Sequence, residues 1–167
     1  MTTAEALAAL RAAEALDGAP NLTQRRAMLL SLAREVKKRA QDIMAVLDAE
    51  YEGRAPIETL LADVLLVADA ALYVRRNLWL WMRPRRVSVP YPFWPARARE
   101  ECVPKGVIGI MAPWNYPVQL ALLPAIDAIA AGNRVCVKPS EALPRTAALI
   151  AEILRAALGD DIALCVQ

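Results

Sequence analysis

The sequence contains no histidine. Without histidine, this chain cannot supply the Ser-His-Asp or Cys-His pairs of nucleophilic catalysis, nor a zinc site with imidazole ligands. Its 6 glycines form no GxGxxG, GxxxxGKS or GxxxxGKT pattern. The residues present therefore also exclude a complete phosphate-binding loop of either kind.

Cysteine is scarce as well. The 3 cysteines, Cys102, Cys136 and Cys165, are far apart, odd in number and set among apolar residues, and no CxxC occurs. This pattern favours a reducing compartment over a disulfide framework, so we expect a cytoplasmic protein. Cys136 lies between Val135 and Val137, where a buried and inert thiol is expected.

Neither sign of charge dominates, because 20 basic and 18 acidic residues leave a net charge of +2. Charge alone therefore implies no nucleic-acid partner. The length of 167 residues and the hydrophobic content of 57% suit one folded domain, or one and a fraction. The N-terminus lacks the pattern of a secretory signal, and prolines and polar residues interrupt the apolar stretch 107–132, so no membrane span is expected.

The first 82 residues have the spacing of amphipathic helices. Three helical regions are predicted: residues 3–16, Leu22 to about Tyr51 as one helix or as two joined near Arg39-Ala40, and Pro56 to Met82. Trp79 and Trp81 near the end of the third region suggest a ligand-stacking pair. Residues two apart point to different sides of a helix, so packing is the favoured interpretation.

Prolines and arginines are concentrated in residues 83–104. The prolines predict an extended bridging segment. Tyr91, Phe93 and Trp94 lie between its arginines, a composition that suits single-stranded nucleic acid, but a subunit contact or solvated charge explains it equally well.

The remaining residues predict alternating strands and helices that end at proline or glycine. The predicted order is strand, turn, helix, strand, helix and strand, at 107–112, 113–117, 118–131, 134–138, 144–158 and 162–166. Three strands with two intervening helices form one mononucleotide-binding half of a doubly wound, Rossmann-like parallel sheet. The expected fold class is therefore α/β, with the N-terminal helices packed on this half-sheet.

Three linked motifs carry a family resemblance: APWNYP at 112–117, AAGNRV at 130–135 and VKPSE at 137–141. In this order and spacing they resemble the NAD(P)-dependent aldehyde dehydrogenase superfamily. Together with WMRPRRV at 81–87, they are most similar to its branch of coniferyl and class 3 aldehyde dehydrogenases. The resemblance implies that residues 1–82 are the helical part of the cofactor-binding domain, 83–104 an oligomerisation segment and 105–167 the first half of the dinucleotide-binding domain. It also implies a homodimer in the full-length form.

In this family a cysteine thiolate attacks the aldehyde, hydride passes to nicotinamide and the thioester is hydrolysed. Each step places negative charge on the former carbonyl oxygen, which an uncharged amide donor stabilises. By its match to the family motif, Asn115 is the expected catalytic donor, with Pro113 and Pro117 restricting the turn around it. The alternative is that Asn115 only satisfies backbone groups of the turn.

The resemblance also implies a set of cofactor-binding residues. Lys138 would donate to the adenosine ribose hydroxyls, and Glu141 would accept from them and disfavour a 2′-phosphate, so NAD is expected rather than NADP. The other expected contacts are Met111, Ala112, Trp114 and Ser140, with core packing as the alternative for Met111 and a surface turn for Ser140.

The family's nucleophilic cysteine and general-base glutamate lie downstream of VKPSE, beyond residue 167, and no cysteine here matches the nucleophile. We therefore expect the N-terminal portion of an aldehyde dehydrogenase that is inactive alone, binds NAD weakly or not at all, and has an aldehyde substrate only with the downstream half. Nucleic acid, membrane and metal are not expected. The alternative is a non-catalytic truncated product that pairs with a full-length relative.

Overall fold

The computed structural model describes residues 1–166, and helices account for most of them. The α-helices of this part of the chain are α1 (Thr3–Asp17), α2 (Leu22–Lys38), α3 (Ala40–Glu50), α4 (Pro56–Thr59), α5 (Leu66–Trp81), α6 (Pro117–Ala130) and α7 (Pro144–Leu158). A π-helical turn, Leu60–Leu65, joins α4 to α5, and Tyr91–Phe93 forms a 3-10 turn. The helices predicted from spacing are confirmed.

Local signals in the sequence set where the early helices begin. Asn21 and Gln24 cap α2 reciprocally, because the side chain of each accepts a hydrogen bond from the backbone N–H of the other. Such a cap contributes about 1 kcal/mol. The region 22–51 is two helices that meet at Arg39, where φ is -90° and ψ is 13°, in agreement with the second of the two predicted forms.

The described strands form two sheets. In the larger sheet, β3 (Val107–Met111), β4 (Arg134–Lys138) and β5 (Ala163–Cys165) are parallel in the order β3-β4-β5, which confirms the predicted α/β half-sheet. In the smaller sheet, β1 (Arg85–Val87) and β2 (Ala98–Glu100) pair antiparallel within the predicted bridging segment. This exposed two-stranded ribbon is a detail that the proline-rich composition did not predict.

The two faces of the larger sheet pack against different helices. Ile110, Val135 and Val137 point into the main core, which α2, α5, α6 and α7 complete. On the opposite face, Cys136 packs with Ala6 and Leu10 of α1 in a smaller cluster. Cys136 is therefore the buried thiol that was predicted.

Arg25 fastens the N-terminal helices to α6. Its Nη1 donates to the carbonyl of Ala130 at 3.1 Å and its Nε to the carbonyl of Pro20 at 2.6 Å. Gly132 lies directly beneath its guanidinium with φ at +89°, and a β-carbon there would collide with Arg25. The glycine of AAGNRV is thus required both by its backbone conformation and by this close approach.

The two tryptophans near the end of α5 lie at the surface, and the packing predicted for them is with neighbouring side chains rather than with the core. Trp79 and Trp81 keep 44% and 46% of their surface exposed. The Arg83 guanidinium lies 4.3 Å from the centre of the Trp79 ring, and the Tyr73 ring lies 6.1 Å from that of Trp81. Each indole ring is therefore partly exposed to solvent and contacts a neighbouring side chain.

Among residues 1–166, no helix has the length and apolar character needed to cross a membrane.

Candidate functional site

The carboxyl ends of β3 and β4 lie side by side. Met111 is aligned with Lys138 in the parallel register, and the Ala112 N–H donates to the Lys138 carbonyl at 3.0 Å. Ligands of open α/β sheets bind beyond this edge of the strands. The structure therefore brings the predicted residues from both strand ends to the edge where a ligand is expected.

The sheet face that carries Met111 is open at this edge. Met111 is 86% exposed and Gly109 is also exposed, whereas α1 covers the same face further back, at Val107 and Cys136. Core packing, the alternative for Met111, is therefore wrong. Ala112, the next residue, is buried.

Lys138 and Glu141 pair across the turn that follows β4. The Lys138 Nζ lies 2.9 Å from the Glu141 Oε2, and this hydrogen bond holds the pKa of the Glu141 carboxyl below its usual range. Ser140 lies in the same turn, and its Oγ accepts from the Ala142 N–H at 3.3 Å, as the surface-turn interpretation predicts. A small cavity of about 130 Å³ is lined by Lys138, Pro139, Ser140, Glu141, Pro144 and Ala147.

Asn115 lies in the turn between β3 and α6. Its side chain is exposed, as is that of the neighbouring Trp114. Within residues 1–166 the Asn115 side chain makes no hydrogen bond, neither to the backbone of its turn nor to Lys138, Ser140 or Glu141. The interpretation that Asn115 satisfies turn backbone groups thus has no contact to support it, and its amide is available to another molecule.

A buried ion pair lies directly beneath this turn, and sequence reasoning missed it. Asp63, in the π-helical turn, is 0% exposed, and its Oδ2 accepts from Arg54 at 2.9 Å. Its Oδ1 accepts from the backbone N–H of Gln119 at 2.9 Å. Burial raises the pKa of the Asp63 carboxyl, and the Gln119 N–H and the Arg54 guanidinium oppose this rise.

One signal for this pair was present in the sequence. Asp63 lies four residues before Val67 and eight before Ala71, so helical spacing places it on the buried face of its helix. A carboxylate on a core face requires a partner, because an unpaired buried charge is very costly. The identity of that partner depended on tertiary structure.

Carboxylates from the N-terminal helices occupy the starts of both α6 and α7. Each helix begins with a proline and has no side-chain cap of its own. Asp63 accepts from α6, and Glu50 accepts from the N–H groups of Arg145 at 2.7 Å and Thr146 at 2.9 Å in α7. Helix N-termini are favoured sites for anions. At α6 and α7 protein carboxylates already occupy these sites, so both helix starts are poor sites for a phosphate.

Cys102 is the thiol that we expect to react first with iodoacetamide. It is exposed, whereas burial raises the pKa of Cys136, and burial together with the neighbouring Cys136 raises the pKa of Cys165 to about 11. The thiolate is the reactive form, so at pH 8 the folded protein should incorporate one equivalent rapidly and all 3 cysteines should react after unfolding, as measured by intact mass. Rapid labelling of Cys165 in the folded protein would contradict this assignment.

Comparison with known proteins matches the whole described chain to one family. The sequence profile of the aldehyde dehydrogenase family matches residues 1–166. A curated relative, a probable coniferyl aldehyde dehydrogenase from Pseudomonas aeruginosa, is 37% identical over 151 residues, which are 90% of this chain and 32% of the relative. The chain thus spans about a third of the length of this relative.

Solved structures show the same fold. The substrate-bound state of Staphylococcus aureus AldH matches with a TM-score of 0.92 and 25% identity, over 99% of this chain and 36% of the other. PnpE in complex with nicotinamide adenine dinucleotide matches with a TM-score of 0.82 and 22% identity, over 96% of this chain and 32% of the other.

Proposed function

The chain belongs to the aldehyde dehydrogenase family, and from this membership we propose that it is part of an NAD-dependent oxidoreductase that converts aldehydes to carboxylic acids. The predicted resemblance to coniferyl and class 3 aldehyde dehydrogenases is confirmed. We propose that residues 1–82 and 105–167 contribute the first half of the cofactor-binding domain and residues 83–104 an oligomerisation segment. The observation that carries the proposal is the open edge where β3, which leads into the turn of Asn115, ends beside β4, which leads into the turn of Lys138 and Glu141.

The proposed cofactor contacts follow from this edge. Lys138 and Glu141 provide a cationic donor and a carboxylate acceptor 2.9 Å apart, a pair suited to the two hydroxyls of the adenosine ribose. The negative charge of Glu141 would repel a 2′-phosphate, which favours NAD over NADP. Met111, Ala112, Trp114 and Ser140 are proposed to border the same cleft.

We propose that residues 1–167 bind the cofactor weakly, and the starts of two helices support this. The pyrophosphate of NAD needs backbone or cationic donors, but the N-termini of α6 and α7 are capped by Asp63 and Glu50. Without donors to the pyrophosphate, only the contacts of Lys138 and Glu141 with the ribose remain, and these are few. In the enzyme, NAD accepts the hydride, and we propose that this chain holds the adenosine side of the cofactor.

We expect residues 1–167 to bind NAD with a dissociation constant of about 1 mM or weaker, which corresponds to roughly 4 kcal/mol. In a ¹⁵N NMR titration, shifts should concentrate at the amides of Met111, Lys138, Ser140 and Glu141, and Lys138→Ala should abolish them. Lys37→Ala is the matched control, because Lys37 forms a similar surface ion pair with Asp69 at 3.3 Å. Clear NAD binding that survives Lys138→Ala would show that the proposed ribose contact is wrong.

A second candidate function is non-catalytic pairing with a full-length relative. The β1-β2 ribbon favours it, because all six strand residues are exposed and both faces of the ribbon are free among the described residues. Intact mass of the endogenous product, captured with an antibody to residues 1–20, separates the candidates. A mass several-fold above 18.3 kDa supports the dehydrogenase, and a mass near 18.3 kDa supports the binding function.

We further propose that the full-length form is a cytoplasmic homodimer without a nucleic-acid partner. Two arginines of the ribbon region are already paired with carboxylates, Arg85 with Glu100 at 2.6 Å and Arg99 with Glu101 at 2.7 Å. These pairs reduce the positive charge available to phosphates. Binding of single-stranded RNA that falls steeply with salt would contradict this proposal.

A further inference from the structure

We propose that Asp63, Arg54 and Tyr51 form a positioning group for Asn115, which holds the turn 113–117 in one conformation before substrate arrives. The inference rests on the proposed role of Asn115 as the amide donor to the reacting oxygen. Because the Asn115 side chain makes no hydrogen bond within residues 1–166, its placement depends on the backbone of its own turn. The contacts that fix this backbone come from 51–63.

Asp63 fixes the point where the turn becomes helix. Pro117 has no N–H, and the first helical hydrogen bond of α6 runs from the Leu120 N–H to the Tyr116 carbonyl at 2.9 Å. The N–H groups of Val118 and Gln119 therefore lack partners within the helix. The Asp63 carboxylate accepts a hydrogen bond from the Gln119 N–H at 2.9 Å.

Arg54 fixes Asp63 and reaches the turn itself. Its side chain is 5% exposed and donates to Asp63 at 2.9 Å. The guanidinium carbon lies 4.9 Å from the centre of the Tyr116 ring and 5.1 Å from that of Tyr51. Arg54 thus stacks between two aromatic rings, one of which belongs to the residue directly after Asn115.

Tyr51 holds the other side of the turn. Its O–H donates to the carbonyl of Trp114, the residue directly before Asn115. The backbone is therefore fixed on both sides of Asn115, through Trp114 and through Tyr116. A displacement of about 1 Å of a catalytic group costs about 10²-fold in rate, so such fixation matters if Asn115 contacts the reacting oxygen.

The irregular helix that carries Asp63 supports this interpretation. Asp63 lies within the π-helical turn Leu60–Leu65, where the Leu66 N–H donates to the Leu61 carbonyl five residues earlier. Such turns are rare and are frequent at functional sites. Here the π-helical turn places the fully buried Asp63 carboxylate at the start of α6.

The test is ¹⁵N NMR on residues 1–167 carrying Tyr51→Phe or Asp63→Asn. Tyr51→Phe removes the O–H and keeps the ring on Arg54, so it should preserve the fold. We expect it to shift the Trp114 indole and Asn115 side-chain amide resonances. Asp63→Asn should shift the same resonances and also accelerate hydrogen exchange at the Gln119 amide by about 10-fold.

Asp69→Asn is the matched control, since it makes the same substitution at a 70% exposed carboxylate in α5. It should leave the Trp114 and Asn115 resonances unchanged. If Tyr51→Phe and a folded Asp63→Asn leave the Asn115 side-chain amide resonances at their native positions, the positioning role is overturned.

Failure of the proposed function gives a different result. In a gene product shown to oxidise aldehydes, Tyr51→Phe should lower kcat and leave the KM for NAD unchanged. The rates are compared at equal concentrations of folded active sites, so that a general loss of folded protein does not lower the measured kcat. If Asn115→Ala leaves kcat intact while Tyr51→Phe still shifts the Asn115 resonances, the catalytic role of Asn115 fails. The contact of Tyr51 with the turn is then confirmed, but its proposed contribution to catalysis is wrong.

Discussion

Replacement of Arg134 by alanine is expected to lower the free energy of unfolding by about 3–5 kcal/mol. Arg134 is 1% exposed and lies at the start of β4. Its guanidinium donates to the carbonyls of Ala13, Gly18 and Asp161, each at 2.9 Å. Alanine would remove these three hydrogen bonds and with them the link from α1 to the sheet.

The size of this effect follows from burial. A hydrogen bond from a charged group contributes about 1.5–3 kcal/mol, and a buried acceptor left unsatisfied loses more than a solvated one. The ion pair with Asp17 at 3.2 Å adds little, because the Asp17 side chain is 54% exposed. The carbonyl contacts therefore dominate the contribution of Arg134.

Urea unfolding followed by circular dichroism measures the loss directly. A decrease of this size also corresponds to a melting temperature lower by roughly 6–20 °C for a chain of this length. Arg155→Ala is the matched control, because the Arg155 ion pair with Asp160 is exposed on both sides and should cost less than about 1 kcal/mol. Equal losses for the two variants would show that Arg134 does not fasten α1 to the sheet.

The parts of the fold that the sequence predicts are those set by local signals. Asn21 caps its own helix, Pro144 begins α7 and Gly159 follows its end with φ at +82°. The alternation of short apolar runs with helices predicts parallel strands, but not their order β3-β4-β5. The caps and the alternation involve residues within a few positions of one another, so spacing alone reveals them.

The parts that the sequence does not predict depend on distant partners. The hydrogen bond from Gln119 to Asp63 joins residues 56 positions apart, and that from Arg145 to Glu50 joins residues 95 apart. No local pattern encodes which carboxylate reaches which helix. The spacing of Trp79 and Trp81 predicts packing but not how far the two rings remain exposed, since that depends on which elements lie nearby.

The residues of the candidate site likewise fall into those that the local sequence predicts and those that only the tertiary structure reveals. Lys138 and Glu141 are three residues apart and form the contact that their spacing allows. Asn115 was identified by its motif, and the motif gives its residue type but not what holds it in place. Tyr51, Arg54 and Asp63 hold the turn from outside the motif, and only the tertiary structure reveals them.

Asn115→Ala is expected to lower kcat by about 10²–10³-fold in a gene product shown to oxidise aldehydes, with little change in the KM for NAD. The amide would donate to the carbonyl oxygen as negative charge develops on it, so its contribution is largest in the transition state. An uncharged donor also avoids repelling the positively charged nicotinamide that must accept the hydride. Initial rates of NADH formation by absorbance at saturating aldehyde and cofactor measure this loss.

Asn77→Ala is the control for removing an asparagine amide elsewhere on the surface. Among residues 1–166 the Asn77 Nδ2 donates only to the Tyr73 carbonyl within its own helix, at 2.8 Å, so its loss should leave kcat unchanged. Asn115→Asp tests charge separately, since it keeps the size of the side chain and places a carboxylate where the oxyanion forms. It should be at least as slow as Asn115→Ala, because the carboxylate repels that charge in addition to losing the donor. An Asn115→Asp enzyme with native kcat would show that the reacting oxygen does not approach this side chain, and the donor would have to lie outside the turn 113–117.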